Sequence, residues 1–229
     1  MGLGDILKKA SFAACTAAVS PLIAAYKLQK AVADEEDDPY FHYGMLVSVV
    51  PGTLGRELRK AFYRNTLKRC GPNLRVGFGS YFVSADTEVG DRVSTGSYTI
   101  IGLCTIGDDV LMASHISVLD GLHQHGFEDT NTRMVDQEGR SEKVSIGSNT
   151  WIGEGARVAA NVGDKSIVGI GAVVTRPIKG GVMVLGNPAR VIGHRNKPLT
   201  RRTNSHKAVK EPAAAEKPAA DKAPKKKDA

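Results

Sequence analysis

The chain opens on a helical pattern. Between Lys9 and Lys27 lie 17 residues without a charge, Ala10 to Tyr26, rich in Ala and interrupted by Ser11, Thr16, Ser20 and Pro21. That length is at the lower edge of what crosses a bilayer. Three readings stay open for this segment: a helix packed on the body or on a partner, an interfacial or re-entrant membrane anchor, or a cleaved signal. Ala31-Val32-Ala33 would serve the last as a cleavage site, but Lys27 and Lys30 sit in the wrong place for one. The acidic run Asp34 to Asp38, closed by Pro39, predicts a solvated linker. From Thr53 to Cys70 a second helix is expected, capped by Thr53, with Leu54, Leu58, Ala61, Phe62 and Leu67 as its apolar stripe. Arg56, Arg59, Lys60, Arg64, Lys68 and Arg69 make it strongly basic. It suits either a cap on the body or a basic amphipathic helix lying on anionic lipid.

Beyond Gly71 the period changes to six. Val83, Val89 and Thr95 step by six, and Ile106, Met112 and Val118 do so after a one-residue slip around Ile100-Ile101. Ile146, Ile152 and Val158 continue the series past a long interruption, followed by Val162, Val168 and Val174. Neither a helix, which repeats near 3.6, nor a strand, which repeats near 2, explains this spacing. A triangular coil of three short strands does, with each aliphatic pointing inward and small residues at the corners. Without the insertion the repeats make about five turns, a prism roughly 25 Å tall at the usual strand spacing. Its end coils need covers. Met45 to Leu74 could cover one end, and Val191 onward the other.

Composition changes the picture in one respect. The chain has 31 Lys+Arg against 24 Asp+Glu, a formal net charge of +7. From Arg195 onward 11 basic and 4 acidic residues give +7, so the remaining 20 of each sign cancel. The basic charge thus belongs to a tail, and nucleic-acid binding by the body loses its main support. That tail is rich in Ala, Lys and Pro and reads as disordered. Three scattered cysteines (Cys15, Cys70, Cys104) suit neither a disulfide framework nor a thiolate metal site, and they fit a reducing cytoplasm.

The run Ile146-Gly-Ser-Asn-Thr-Trp-Ile-Gly-Glu-Gly-Ala156 resembles the hexapeptide-repeat acyltransferases. Val168-Gly-Ile-Gly-Ala-Val-Val-Thr-Arg176 and the closing Gly186-Asn-Pro-Ala-Arg190 agree with it. In detail the likeness is to the sugar and polysaccharide O-acetyltransferase branch. Pro51-Gly-Thr-Leu-Gly-Arg56 and Phe62-Tyr-Arg64 resemble the lead-in of members that serve cell-surface glycan assembly. The resemblance implies an all-β left-handed parallel β-helix with an N-terminal helical extension and a disordered C-terminal tail. The expected divisions are 1–33 for an apolar helical segment, 34–75 for the linker and basic helix, 76–195 for the acyltransferase domain, and 196–229 for the tail.

The repeat is interrupted once, over 121–143. A long excursion from a regular scaffold is where function is expected. His115, His123 and His125 lie at or beside its start. By resemblance His123 is the general base, since imidazole can take a hydroxyl proton near neutral pH and return it to a departing thiolate. His125 is a second catalytic or substrate-orienting candidate, and Asp120 or Glu154 is a candidate to orient the base. His115 should point outward. Three histidines also raise a zinc site of the gamma carbonic anhydrase kind, but no later coil offers a histidine before His194, and no metal is expected.

The resemblance further implies acetyl-CoA as acyl-donor cosubstrate, with no permanently bound cofactor. The donor lies between two adjacent prisms, so a homotrimer is implied. The matching positions are Gly171, Ala172, Thr175, Arg176 and Arg190, with Trp151 beside them; the arginines suit phosphate. The acceptor would be a sugar or glycan hydroxyl, in polysaccharide or glycolipid biosynthesis. N-acylation of an amino sugar, or a non-catalytic membrane-tethered scaffold, is the alternative. A cytoplasmic location, with peripheral contact at the inner membrane face, completes the expectation.

Overall fold

A computed structural model describes residues 2–33 and 38–197. Residues 34–37 of the acidic run, and the tail from 198 that is expected to be disordered, lie outside the described residues.

Three helices lead in: α1 (Leu3–Val32), α2 (Tyr40–Ser48) and α3 (Gly52–Thr66). Cys15, Val19, Ile23 and Tyr26 form a buried stripe on α1 at helical spacing. Pro21 stands inside this helix and removes the N–H that would bond the Ala17 carbonyl. The Ser20 hydroxyl donates to that carbonyl instead, at 2.8 Å. A chain of aromatic contacts then runs inward. Tyr26 meets Tyr40 at 5.2 Å, Tyr40 stacks on Phe62, Phe62 meets Tyr63, and Tyr63 meets Phe82 of the first coil at 4.8 Å. The lead-in is thereby fastened to one end of the body.

Two details of α3 differ from the sequence expectation. The helix starts after Pro51 and has no side-chain cap, so Thr53 sits within its first turn. It also ends at Thr66, because Arg69–Cys70 leave to pair with Glu88–Val89. Arg59, expected on the basic face, is 2% exposed. Its guanidinium donates to the carbonyls of Val50 at 2.7 Å, Val76 at 2.9 Å and Ser48 at 3.1 Å. Gly55 allows this approach, since a Cβ there would lie 1.8 Å from the Val50 oxygen.

Short strands then fall into three sheets that the chain visits in turn. The first holds β1 (Arg69–Cys70), β3 (Glu88–Val89), β6 (Cys104–Ile106) and β9 (Val144–Ile146). The second holds β4 (Ser94–Thr95), β7 (Leu111–Met112), β10 (Trp151–Ile152), β12 (Ile167–Val168), β14 (Val182–Leu185) and β15 (Arg190–His194). The third holds β2 (Tyr81–Phe82), β5 (Ile100–Ile101), β8 (Ser117–Val118), β11 (Arg157–Val158) and β13 (Val173–Val174). All pair in parallel except β14 with β15. Thr95, Met112, Ile152, Val168 and Val184 stack in register on one face. Phe82, Ile101, Val118, Val158 and Val174 stack on another, and all ten are buried.

The residues of the period-six series are buried as the spacing predicts, with one slip. Val83 is 40% exposed and Phe82 takes the inward place, where its ring meets Tyr63. The corners show why small residues recur. Gly155 and Gly171, at φ +68° and +65°, take left-handed backbone between the second and third sheets. Above them Tyr98 and His115 adopt the same conformation with side chains. At the far end β15 lies antiparallel on β14 and occupies the edge of the second sheet.

Candidate active site

The excursion leaves the third sheet after β8 and returns to the first at β9. Its neck is closed by backbone bonds. Glu142 N–H donates to the Asp120 carbonyl and Arg140 N–H to the His123 carbonyl, each at 2.7 Å. Gly139 presses so closely on the opposite strand of the neck that a Cβ would lie 1.9 Å from the Gln124 oxygen. Lys143 anchors the return, donating to Glu88 Oε1 at 2.8 Å and to the Asp86 carbonyl at 3.0 Å. The Lys143 hydrogen bond is the leading cause that holds the Glu88 carboxyl below its usual range.

This neck sets His123. Its ring stacks on Phe127 with centroids 6.0 Å apart, and Nδ1 stands 4.0 Å from Glu142 Oε1. Nδ1 is buried with no hydrogen-bond partner, while the side chain as a whole is 42% exposed. The accessible part of the ring is therefore the remainder, including the Nε2 edge. Glu142 is shared with Arg140, whose Nε is 3.0 Å from Oε1. Glu142 is the carboxylate that sequence reasoning missed, because it stands far along the chain and only the closed neck brings it back.

Neither expected orienting carboxylate touches His123. Asp120 accepts from the Ser141 hydroxyl at 2.6 Å and from the Gln124 amide, which braces the neck. Glu154 accepts from Ser114 N–H at 3.0 Å. His125 is exposed and shares with His123 a loop cavity of about 370 Å³ that also takes in Glu128, Glu138 and Arg140. His115 is not part of the group. It stands at the corner between the second and third sheets, stacked on Tyr98 at 5.3 Å.

A second cavity, about 180 Å³, joins His123 and Glu142 to Ala159, Ala160, Asn161, Thr175 and Pro177. These residues form the corner between the third and first sheets on the coils below the loop. Asn161 is spent on structure, its Oδ1 accepting from Ser145 N–H at 2.8 Å. Of the expected donor set, Thr175 shares this cavity with His123. Arg176 and Arg190 are exposed. Gly171 lies at another corner with open space where a Cβ would stand, and Trp151 faces out of the second sheet, 43% exposed. Ala172 is fully buried, so its methyl fills the core and offers a ligand nothing. A third cavity, about 560 Å³, lies at the remaining corner beside Asn149, Lys165, His194 and Arg195. It holds none of the groups gathered around His123. The smaller cavities have the stronger claim, since there a base, a carboxylate and space converge.

No family profile matches the chain. A putative acetyltransferase of Saccharomyces cerevisiae is 33% identical over 185 residues, covering 65% of this chain and 92% of that protein. The chain belongs to the hexapeptide-repeat acetyltransferases. The galactoside O-acetyltransferase of Escherichia coli is 33% identical over 125 residues, which is 53% of this chain and 54% of that one. The chain thus spans about half the length of that curated relative. A galactoside acetyltransferase solved in complex with coenzyme A shares the fold, with a TM-score of 0.61, 24% identity and coverage of 71% and 86% of the two chains.

Proposed function

We propose that the protein transfers an acetyl group from acetyl-CoA to a sugar hydroxyl, with His123 as general base. The observation that carries this reading is the placement of His123. Its Nδ1 is sheltered beside Glu142, and its open edge lies between the loop cavity and the cavity walled by Thr175. A carboxylate beside Nδ1 favours the tautomer with the proton there, which leaves Nε2 free to accept one. The acceptor hydroxyl would lose its proton to Nε2 as its oxygen attacks the thioester carbonyl. The C–S bond then breaks, and the proton passes to the departing thiolate.

The donor would bring its thioester along the corner at Thr175. Arg176 follows Thr175 at this same corner, whereas Gly171, Arg190 and Trp151 stand elsewhere on the prism and would meet this donor from a neighbouring copy. That arrangement calls for a trimer of left-handed prisms. Leu111, Trp151, Ile167 and Met183 form an outward apolar row on the second sheet that suits such a contact. The resemblance of the lead-in around Pro51 and Phe62 to members serving cell-surface glycan assembly supports a polysaccharide or glycolipid sugar as the acceptor.

Glu128 and Glu138 in the loop cavity favour N-acetyl transfer to an amino sugar as the second reading. A thiol-release assay with acetyl-CoA separates the two. Galactosides and other neutral sugars should support turnover. Release with amino sugars alone would favour the second reading, and the absence of release with every sugar would refute both.

A further inference from the structure

We propose that the outward face of α1 docks flat on an anionic lipid surface, independently of the chemistry at His123. One face of this helix is already used. Cys15, Val19, Ile23 and Tyr26 are buried against the rest of the lead-in. A helix packed on a soluble body normally turns charged and polar residues to water on the other side. Among the described side chains, the arc centred near Ala17 carries no charge. Ile6, Ala10, Ala13, Ala17, Ala24 and Leu28 all fall on it at helical spacing, and all are exposed. The exposure is large at its two ends, 48% for Ile6 and 70% for Leu28.

One edge of this face carries cations. Lys9 is exposed near its start, on the same line of the helix as Lys27. Lys27 is exposed at the other end, and Lys30 beside it pairs with Asp38 at 3.0 Å. Leu46 of the neighbouring α2 and Val49 just after it are also exposed, at 59% and 61%. An uncharged helical face with lysines along its edge is the pattern of helices that lie in the headgroup region of anionic membranes.

A second copy of the chain fits less well. A twofold contact would set each chain's cations against their own counterparts. The face is also narrow: a helix of this length presents roughly 400 Å², about half of what a standard interface buries per partner.

The test is flotation of the full chain with phosphatidylcholine vesicles, with and without a quarter of phosphatidylglycerol. The parent should float with the anionic vesicles, and high salt should weaken this. Ala17→Glu/Ala24→Glu, with its melting temperature unchanged, should lower the bound fraction at least about tenfold. Leu28→Glu, near the helix end, should act in the same direction and covers the case in which the double variant fails to fold. The proposal is overturned if the parent stays in the aqueous layer. It is equally overturned if the variants float like the parent, since the basic tail would then carry the binding. A fall in assembly mass by light scattering in the variants would assign the face to contacts between chains instead.

Discussion

Glu142 Oε1 stands 4.0 Å from His123 Nδ1, across the neck of the loop that both residues help to close. The gap is an ion-pair distance and not a hydrogen bond, and Arg140 holds the same carboxylate oxygen at 3.0 Å. Glu142 therefore acts on the ring through its charge and placement. Glu142→Gln should lower kcat about 10- to 100-fold while the KM for acetyl-CoA stays within about twofold, as expected for a residue that positions a base. Steady-state kinetics check this. An unchanged kcat would mean that the loop alone orients the imidazole.

The corner cavity gives a second expectation. Thr175 is half-buried there and faces the same space as His123. Thr175→Trp should fill that space and raise the KM for acetyl-CoA about tenfold or more, with little change in melting temperature. Calorimetry of coenzyme A binding gives the direct reading, and unaltered affinity would move the donor elsewhere.

Arg59 fixes the lead-in to the first coil by donating to the Val50, Val76 and Ser48 carbonyls, of which Ser48 also accepts from Gly79 N–H. Arg59→Met keeps the volume and strands the Val50 and Val76 acceptors. The expected loss is about 2–4 kcal/mol in denaturant unfolding. A change within about 0.5 kcal/mol would show that water reaches these carbonyls.

The cysteines supply a prediction that bears on the assay. Burial pushes the Cys70 thiol up to about 11 and the Cys104 thiol up to about 12, and it raises Cys15 as well. At pH 8 the thiolate share at Cys104 is about 10⁻⁴, so disulfide reagents should find little to react with in the native protein. Denaturant should release all three thiols. Rapid native titration of all three would contradict the burial.

The coil of short strands was legible because buried, mostly aliphatic residues recur in steps of six, as from Ile146 to Ile152 to Val158. Ile152 and Val168 are buried partners, sixteen positions apart by their numbers. The Val83 slip was not legible, since Phe82 and Val83 are both apolar and only the Tyr63 ring decides between them. Arg59 looked like surface charge because its partners are backbone carbonyls, which carry no sequence signal. The loop is the least readable part. It has no period, and the pairing of Asp120 with Glu142 and of His123 with Arg140 comes from a fold-back that no local rule announces. His123 was found through family resemblance, whereas Glu142 needed the structure.

The central claim is that His123 moves the proton. Its most direct test is the rate of coenzyme A thiol release by parent and His123→Ala protein, with matched melting temperatures and matched coenzyme A affinity. The predicted result is a fall of about 10²- to 10⁴-fold in kcat with coenzyme A affinity unchanged. Release at the parent rate from the folded variant would contradict the account.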